Sequence, residues 1–184
     1  METNQNLIKS VSEIVKLINN QQFNIAEEEL HKVIRIKKDN YYPYYLLGNI
    51  YALQKKFSDA LGQLKLSYKL NPNDKTLCYN LAVVYGELNE IKNSQNMFEK
   101  SLEIDPDYIN ANLGLAKNFE QQKKFDKAKF FFEKTIKLNK DFKLANQMYG
   151  KFLIRIGEIN KGQYYNYKFS GVIRFNQEEI KIIS

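Results

Sequence analysis

The sequence predicts an all-α solenoid in which antiparallel helix pairs follow one another as a repeat array. The first observation is a 34-residue interval between large apolar residues: Phe23, Phe57, Ile91, Phe125 and Ile159. Small residues recur at the same interval: Ala26, Ala60, Ser94, Ala128 and Gly162. The third observation is a low content of turn formers, 8 Gly and 3 Pro in 184 residues, which disfavours a β-sandwich or barrel. A fixed period of this size is typical of stacked supersecondary units.

Each 34-residue unit is predicted to contain two helices. The register divides the chain into five units: 7–40, 41–74, 75–108, 109–142 and 143–176. In the third unit, apolar and small residues spaced by three and four form one stripe in each half. The first stripe is Leu77, Leu81, Val84, Tyr85 and Leu88, and the second is Ile91, Ser94, Phe98, Ser101 and Leu102. We interpret each half as an amphipathic helix, and residues 1–184 as one domain.

Small residues and prolines define where the two helices of a unit cross and end. Ala82 and Ser94 are predicted to lie where the helices approach closely, since a bulky side chain there would push the axes apart. Pro72 and Pro106 are predicted to end the second helix, because proline cannot continue the helical hydrogen-bond ladder.

These positions resemble the tetratricopeptide repeat family across residues 41–142. The third unit shows the pattern with Leu81, Ala82, Tyr85, Ser94 and Pro106. The resemblance implies a right-handed superhelix in which the first helix of each pair lines a concave groove. It also implies a non-catalytic scaffold that binds a peptide or protein segment in that groove. The outer units, 7–40 and 143–176, depart from the pattern, as terminal repeats commonly do.

The same resemblance implies which residues face the groove. The candidate peptide-binding residues are Tyr42, Tyr45, Asn49, Tyr79, Asn80, Lys117, Gln121, Lys151 and Arg155. Tyrosine offers contact area with a polar tip, and asparagine can bond both donors and acceptors of a peptide backbone.

One family function is not expected here, namely the clamp for the C-terminal carboxylate of heat-shock chaperones. Asn49 and Asn80 match its two asparagines. However, Tyr45, Asn110 and Gly114 stand where its three cations belong. A carboxylate needs charged donors to offset its desolvation.

The C-terminal segment does not continue the repeat. Residues 171–184 are predicted to form a short cap, either a hairpin or a final helix that begins at Asn176. We expect its apolar side to cover the last helix pair. A dimer contact or a docking edge for a partner are the alternatives.

Catalytic and metal-binding patterns are missing from the sequence. His31 is the one histidine and Cys78 the one cysteine; they are interpreted as a solvated helix residue and a buried small residue. The eight glycines are scattered singly, so no phosphate-binding loop is predicted. We therefore predict that the chain is not an enzyme and uses neither a cofactor nor a metal.

Charge and targeting signals narrow the remaining alternatives. The net charge is +7, and residues 143–184 hold seven Lys or Arg against three Asp or Glu. RNA binding through Lys151, Arg155 and Lys161 is a less favoured alternative, as is a self-associating assembly, for instance a homodimer. No secretory signal or membrane-spanning apolar run is visible, so a cytoplasmic location without membrane contact is predicted.

Overall fold

The structure, a computed structural model, describes residues 2–168, with side chains described from residue 11 onward. Within that range the chain forms ten α-helices and no strand, so the all-α prediction is confirmed. The helices are α1 (Glu2–Asn19), α2 (Phe23–Ile36), α3 (Tyr41–Leu53), α4 (Phe57–Leu70), α5 (Lys75–Glu87), α6 (Ile91–Ile104), α7 (Ile109–Gln121), α8 (Phe125–Leu138), α9 (Lys143–Arg155) and α10 (Ile159–Tyr167). Consecutive helices pack as pairs, α1 with α2 through α9 with α10. The predicted cap, residues 171–184, lies outside the described residues.

The helix boundaries repeat with the period seen in the sequence. The second helix of each pair begins at the repeating apolar residue: Phe23, Phe57, Ile91, Phe125 and Ile159. Second helices α4 and α6 end at Leu70 and Ile104, just before the predicted proline stops. First helices α3 and α5 begin after Asn40 and Asp74, whose side-chain oxygens accept hydrogen bonds from the free backbone N–H groups of the first turn. Such caps stabilise a helix start by about 1 kcal/mol.

Each first helix ends in the same turn. Gln21, Lys55, Asn89 and Lys123 adopt positive φ angles of 58–60°, and the fifth turn places Gly157 at φ 92°. In the third unit, Asn89 N donates to Gly86 O at 2.9 Å and Glu90 N donates to Tyr85 O at 2.8 Å. This is the Schellman arrangement, which satisfies the last carbonyl groups of a helix and usually has glycine at the left-handed position. Four of the five turns therefore keep a left-handed residue that carries a side chain.

The described residues fall into two compact units, one up to Ile104 and the other from Asp105. The first unit has a core of aliphatic side chains, among them Ile14, Leu30, Leu47, Leu64 and Leu81. The core of the second unit is aromatic. There the buried rings of Phe132, Tyr149 and Phe152 lie with centroids 5.2–6.2 Å apart. A single domain over 1–184 remains a prediction.

Close helix crossings occur at the small residues. Ser94 is fully buried, and its Oγ donates to Ala82 O on the partner helix at 2.7 Å. In the last pair the approach is closer still. A Cβ added to Gly150 would lie 2.6 Å from both Asn166 N and Gly162 O. The predicted role of the small residues in letting two helices cross is confirmed.

A hydrogen bond that the sequence did not suggest holds the loop before four of the first helices, α3, α5, α7 and α9. The fourth residue of the 34-residue unit bonds to a loop carbonyl six residues earlier, through a tyrosine, a cysteine or an asparagine side chain. The pairs are Tyr44 OH to Lys38 O, Cys78 Sγ to Pro72 O, Asn112 Nδ2 to Pro106 O and Asn146 Nδ2 to Lys140 O. Cys78 is fully buried, and burial raises the pKa of its thiol to about 11. The interpretation of Cys78 as a buried residue is confirmed.

Candidate binding surfaces on the first helices

In the first compact unit, the one up to Ile104, polar side chains from α3 and α5 meet in one hydrogen-bonded group. Asn80 Nδ2 on α5 donates to Asn49 Oδ1 on α3 at 2.8 Å and to Tyr45 OH at 3.3 Å. The ring of Tyr42 stacks on that of Tyr45, with centroids 5.8 Å apart and an interplanar angle of 23°. All four side chains are half-buried. We call Tyr42, Tyr45, Asn49 and Asn80 the tyrosine–asparagine cluster.

The tyrosine–asparagine cluster is electrically neutral. Helix α3 contains no charged residue, and α5 carries its two charges, Lys75 and Glu87, at its ends. Burial raises the pKa of the Tyr45 phenol, against the opposing effect of its hydrogen bond with Asn49. The phenol therefore stays protonated at neutral pH. This surface suits a ligand that brings dipoles and apolar groups and does not bring charge.

Two polar groups of the cluster remain available to a ligand. Both hydrogens of Asn80 Nδ2 are used within the cluster. Within residues 2–168, the Oδ1 of Asn80 forms no hydrogen bond. The Nδ2 of Asn49 has two hydrogens, and its bond to Tyr45 uses one, so the other can be donated. This acceptor and this donor belong to two carboxamides that a 2.8 Å hydrogen bond joins. That pair complements the N–H and C=O groups of a polypeptide main chain.

Tyr79 is placed differently from its neighbour Asn80. Its ring packs against buried Phe98 of α6, with centroids 5.8 Å apart. Successive residues of a helix point about 100° apart. Asn80 therefore faces α3, while Tyr79 turns toward the second helix of its own pair. The geometry joins Tyr42, Tyr45, Asn49 and Asn80 and leaves Tyr79 outside that group.

In the second compact unit, the one from Asp105, the first helices α7 and α9 present charged side chains. Arg155 Nη1 on α9 lies 2.6 Å from Glu120 Oε1 on α7. The Arg155 side chain is 65% exposed and that of Glu120 only 16%. The other candidate residues, Lys117, Gln121 and Lys151, are exposed. The ion pair was not predicted, although the 35-residue separation of its partners, one period plus one residue, is compatible with neighbouring first helices.

Lys117 and Lys151 lie next to this ion pair. Lys117 precedes Glu120 by three residues and Lys151 precedes Arg155 by four, so each lysine lies one turn earlier on the same helix face. Helices α7 and α9 run in the same direction, because each is followed by an antiparallel second helix. The Glu120–Arg155 contact therefore indicates that Lys117 and Lys151 occupy equivalent positions on two neighbouring first helices. We call Lys117 and Lys151 the basic pair.

The residues considered for other chemistry have ordinary surroundings. His31 is exposed, and its Nε2 lies 3.8 Å from Glu27 Oε1 on the same helix. Lys161, proposed for RNA contact, lies 3.7 Å from Glu133 and 3.9 Å from Glu158. Among the described residues, no helix combines the length and the apolar character that crossing a membrane requires.

Comparison with known proteins agrees with this geometry. The family model of the tetratricopeptide repeat matches residues 76–108 and 109–142, which cover the third and fourth helix pairs. Residues 76–142 therefore carry two tetratricopeptide repeats. These repeats correspond to the helix pairs α5–α6 and α7–α8.

Solved structures share this repeat fold at low sequence identity. PilF of Pseudomonas aeruginosa superposes with a TM-score of 0.83 at 14% identity, covering 96% of this chain and 80% of that chain. YrrB, a tetratricopeptide repeat protein with an unusual peptide-binding site, superposes with a TM-score of 0.71 at 15% identity. That match covers 85% of this chain and 80% of YrrB. Likeness at these identities shows the fold alone.

A curated relative shares only the repeats. The UDP-N-acetylglucosamine–peptide N-acetylglucosaminyltransferase of Giardia intestinalis (strain ATCC 50803 / WB clone C6) is 31% identical over 97 residues. The match covers 53% of this chain and 7% of the transferase. The chain thus spans a small part of the length of that relative.

Proposed function

We propose that this tetratricopeptide repeat chain is a non-catalytic scaffold that binds an extended segment of a partner protein on its first helices. One observation supports the proposal most: the open acceptor of Asn80 and the remaining donor hydrogen of Asn49 belong to two carboxamides that a hydrogen bond joins. A bound main chain can satisfy both groups at once. The proposal places this binding in the cytoplasm and assigns the chain no reaction.

The stacked tyrosines supply the remaining contact. Tyr42 and Tyr45 are rigid, partly buried rings whose faces can pack against apolar side chains of the segment at little conformational cost. Because the cluster is neutral, we expect it to read the main chain and the shape of a few side chains. YrrB, which shares this fold, has a peptide-binding site, and that supports the proposal.

The test uses selected peptides and one matched pair of variants. Short random peptides are selected against the wild-type chain, and dissociation constants are then measured by fluorescence polarisation. The N49A/N80A variant removes both open groups and should weaken binding about tenfold or more, since each lost hydrogen bond costs about 1 kcal/mol. The N24A/N96A variant removes two exposed asparagines from second helices α2 and α6 and should bind as the wild type does.

A chemical change in the peptide tests main-chain recognition directly. N-methylation of single peptide units removes one donor at a time without changing any side chain. One methylated position should lose binding to the wild type and show no further loss with N49A/N80A. If every selected peptide binds N49A/N80A as tightly as the wild type, the site lies elsewhere and the proposal is wrong.

A further inference from the structure

The first-helix surface of the second compact unit is charged, whereas the tyrosine–asparagine cluster is neutral. This difference indicates which kind of partner segment each surface suits. On α7 and α9, the candidate face carries the cations Lys117, Lys151 and Arg155 and one carboxylate, Glu120. Helix α9 contains no acidic residue at all, and Glu120 is the single acidic residue of α7. The net charge of this face is therefore +2.

The single carboxylate is already engaged. Glu120 is 16% exposed and lies 2.6 Å from Arg155, so the arginine neutralises its charge. Within the part of the chain that the structure describes, neither lysine of the basic pair forms an ion pair. Two exposed like charges on neighbouring helices repel, and a ligand carboxylate between them would relieve that repulsion.

From this arrangement we infer that the first-helix face of the second unit binds an acidic stretch of the partner polypeptide, with glutamate or aspartate side chains between Lys117 and Lys151. The inference rests on the proposed function, and it specifies that the segment bound by this compact unit is negatively charged. The neighbouring side chains fit the ligand. Gln121 and Gln147 add neutral polar groups on either helix, and Met148 is half-buried and adds apolar contact.

The same observations disfavour RNA as the occupant. Of the three cations that RNA binding would use, Arg155 is paired with Glu120 and Lys161 lies within 4 Å of Glu133 and Glu158. Only Lys151 is left for a phosphate backbone.

The test compares three probes on the full chain: a fluorescein-labelled oligoglutamate peptide, an oligoglutamine peptide of equal length, and a single-stranded oligouridine. At low ionic strength the glutamate peptide should bind the wild type at least about fivefold more tightly than the glutamine peptide. The K117Q/K151Q variant should abolish that difference. The control K137Q/K140Q removes the same charge from exposed lysines outside α7 and α9 and should retain it.

Each outcome decides the matter. Equal binding of the two peptides, or equal loss in both lysine variants, would show general attraction to a basic protein and overturn the inference. Oligouridine binding that depends on Lys117 and Lys151, without preference for the glutamate peptide, would replace the acidic peptide by RNA. If the glutamate preference is absent while N49A/N80A still loses its selected peptides, the proposed function stands and only this inference fails.

Discussion

At the same position of the repeat, the first compact unit has a neutral polar side chain and the second has positively charged ones. The ninth residue of the 34-residue repeats 41–74, 75–108, 109–142 and 143–176 is Asn49, Val83, Lys117 and Lys151, in that order. In the first unit, Asn49 belongs to a neutral, half-buried cluster whose groups bond to one another. In the second unit, the lysines at this position are exposed and one turn from an ion pair. Because helix pairing depends on other positions, this one is free to differ, and we propose that the difference determines what each compact unit binds.

The largest effect should come from the tightest helix crossing. Gly150→Ala places a methyl group 2.6 Å from backbone atoms of Asn166 and Gly162, which cannot yield without separating α9 from α10. We expect a loss of about 3 kcal/mol in the free energy of unfolding, measured by urea titration. The matched change in the first unit is Gly62→Ala, where no atom lies within 4 Å. It should stabilise the chain by about 0.5–1 kcal/mol. Equal effects would refute the close approach.

The polar contacts of the two surfaces should contribute different amounts to the free energy of unfolding. Asn80→Ala removes both hydrogen bonds of a half-buried carboxamide, so it should cost about 1 kcal/mol of stability. Arg155→Gln breaks an ion pair in which the arginine is 65% exposed, and solvent screening should keep its cost below about 0.5 kcal/mol. Urea midpoints of the two variants check this order. A larger loss for Arg155→Gln would mean that the second unit depends on its charged surface for stability.

The left-handed turn residues give a smaller effect in both units. Lys55→Gly and Lys123→Gly relieve a φ of about 59° and 58° that glycine adopts without steric cost. Each should raise the unfolding free energy by about 0.5 kcal/mol, measured as a shift in the thermal midpoint. Gly157→Ala should lower it, since Gly157 has a φ of 92°. Destabilisation by either lysine variant would contradict this account of the turns.

The last prediction concerns the dependence of stability on pH above 10, and it involves two tyrosines, one in each compact unit. Tyr51 OH donates to Glu27 Oε1 and Tyr149 OH donates to Glu133 Oε1. Burial and then these bonds raise both pKa values, that of Tyr51 to about 12. Because the folded pKa exceeds the ordinary value of 10, this stabilisation is complete below pH 10 and is lost as the pH rises toward 12. Tyr51→Phe should therefore make stability less dependent on pH in that window, as measured by urea midpoints. An unchanged pH dependence would count against the bond.

Much of the fold could be predicted from the sequence, because helix pairing uses residue types that must recur at every pair. Leu81, Ala82, Ser94 and Pro106 identify the third helix pair and its ends from the sequence alone. The turns were predicted less well. Lys55 and Lys123 carry no signal for a left-handed conformation, which there is imposed by the Schellman hydrogen bonds and the packing of the next helix.

The candidate site could be predicted only as a set of residues. Tyr79 and Asn80 are neighbours in sequence and were both expected to bind the ligand, yet Asn80 bonds to α3 whereas Tyr79 packs on Phe98. The pairing of Glu120 with Arg155 was also missed. Both depend on rotations of side chains about neighbouring helices, which periodicity does not specify.

The sequence by itself determined the helix pairs, their boundaries and the close crossings, since these follow from local periodicity and from residue volume. Only the tertiary structure decided which polar groups bond to one another and which remain open to a ligand. Asn49 and Asn80 satisfy each other in part because α3 and α5 bring them to 2.8 Å, and the contact of Glu120 with Arg155 joins α7 to α9. Such contacts between distant residues depend on distances of a few ångströms, and the sequence holds no local record of them.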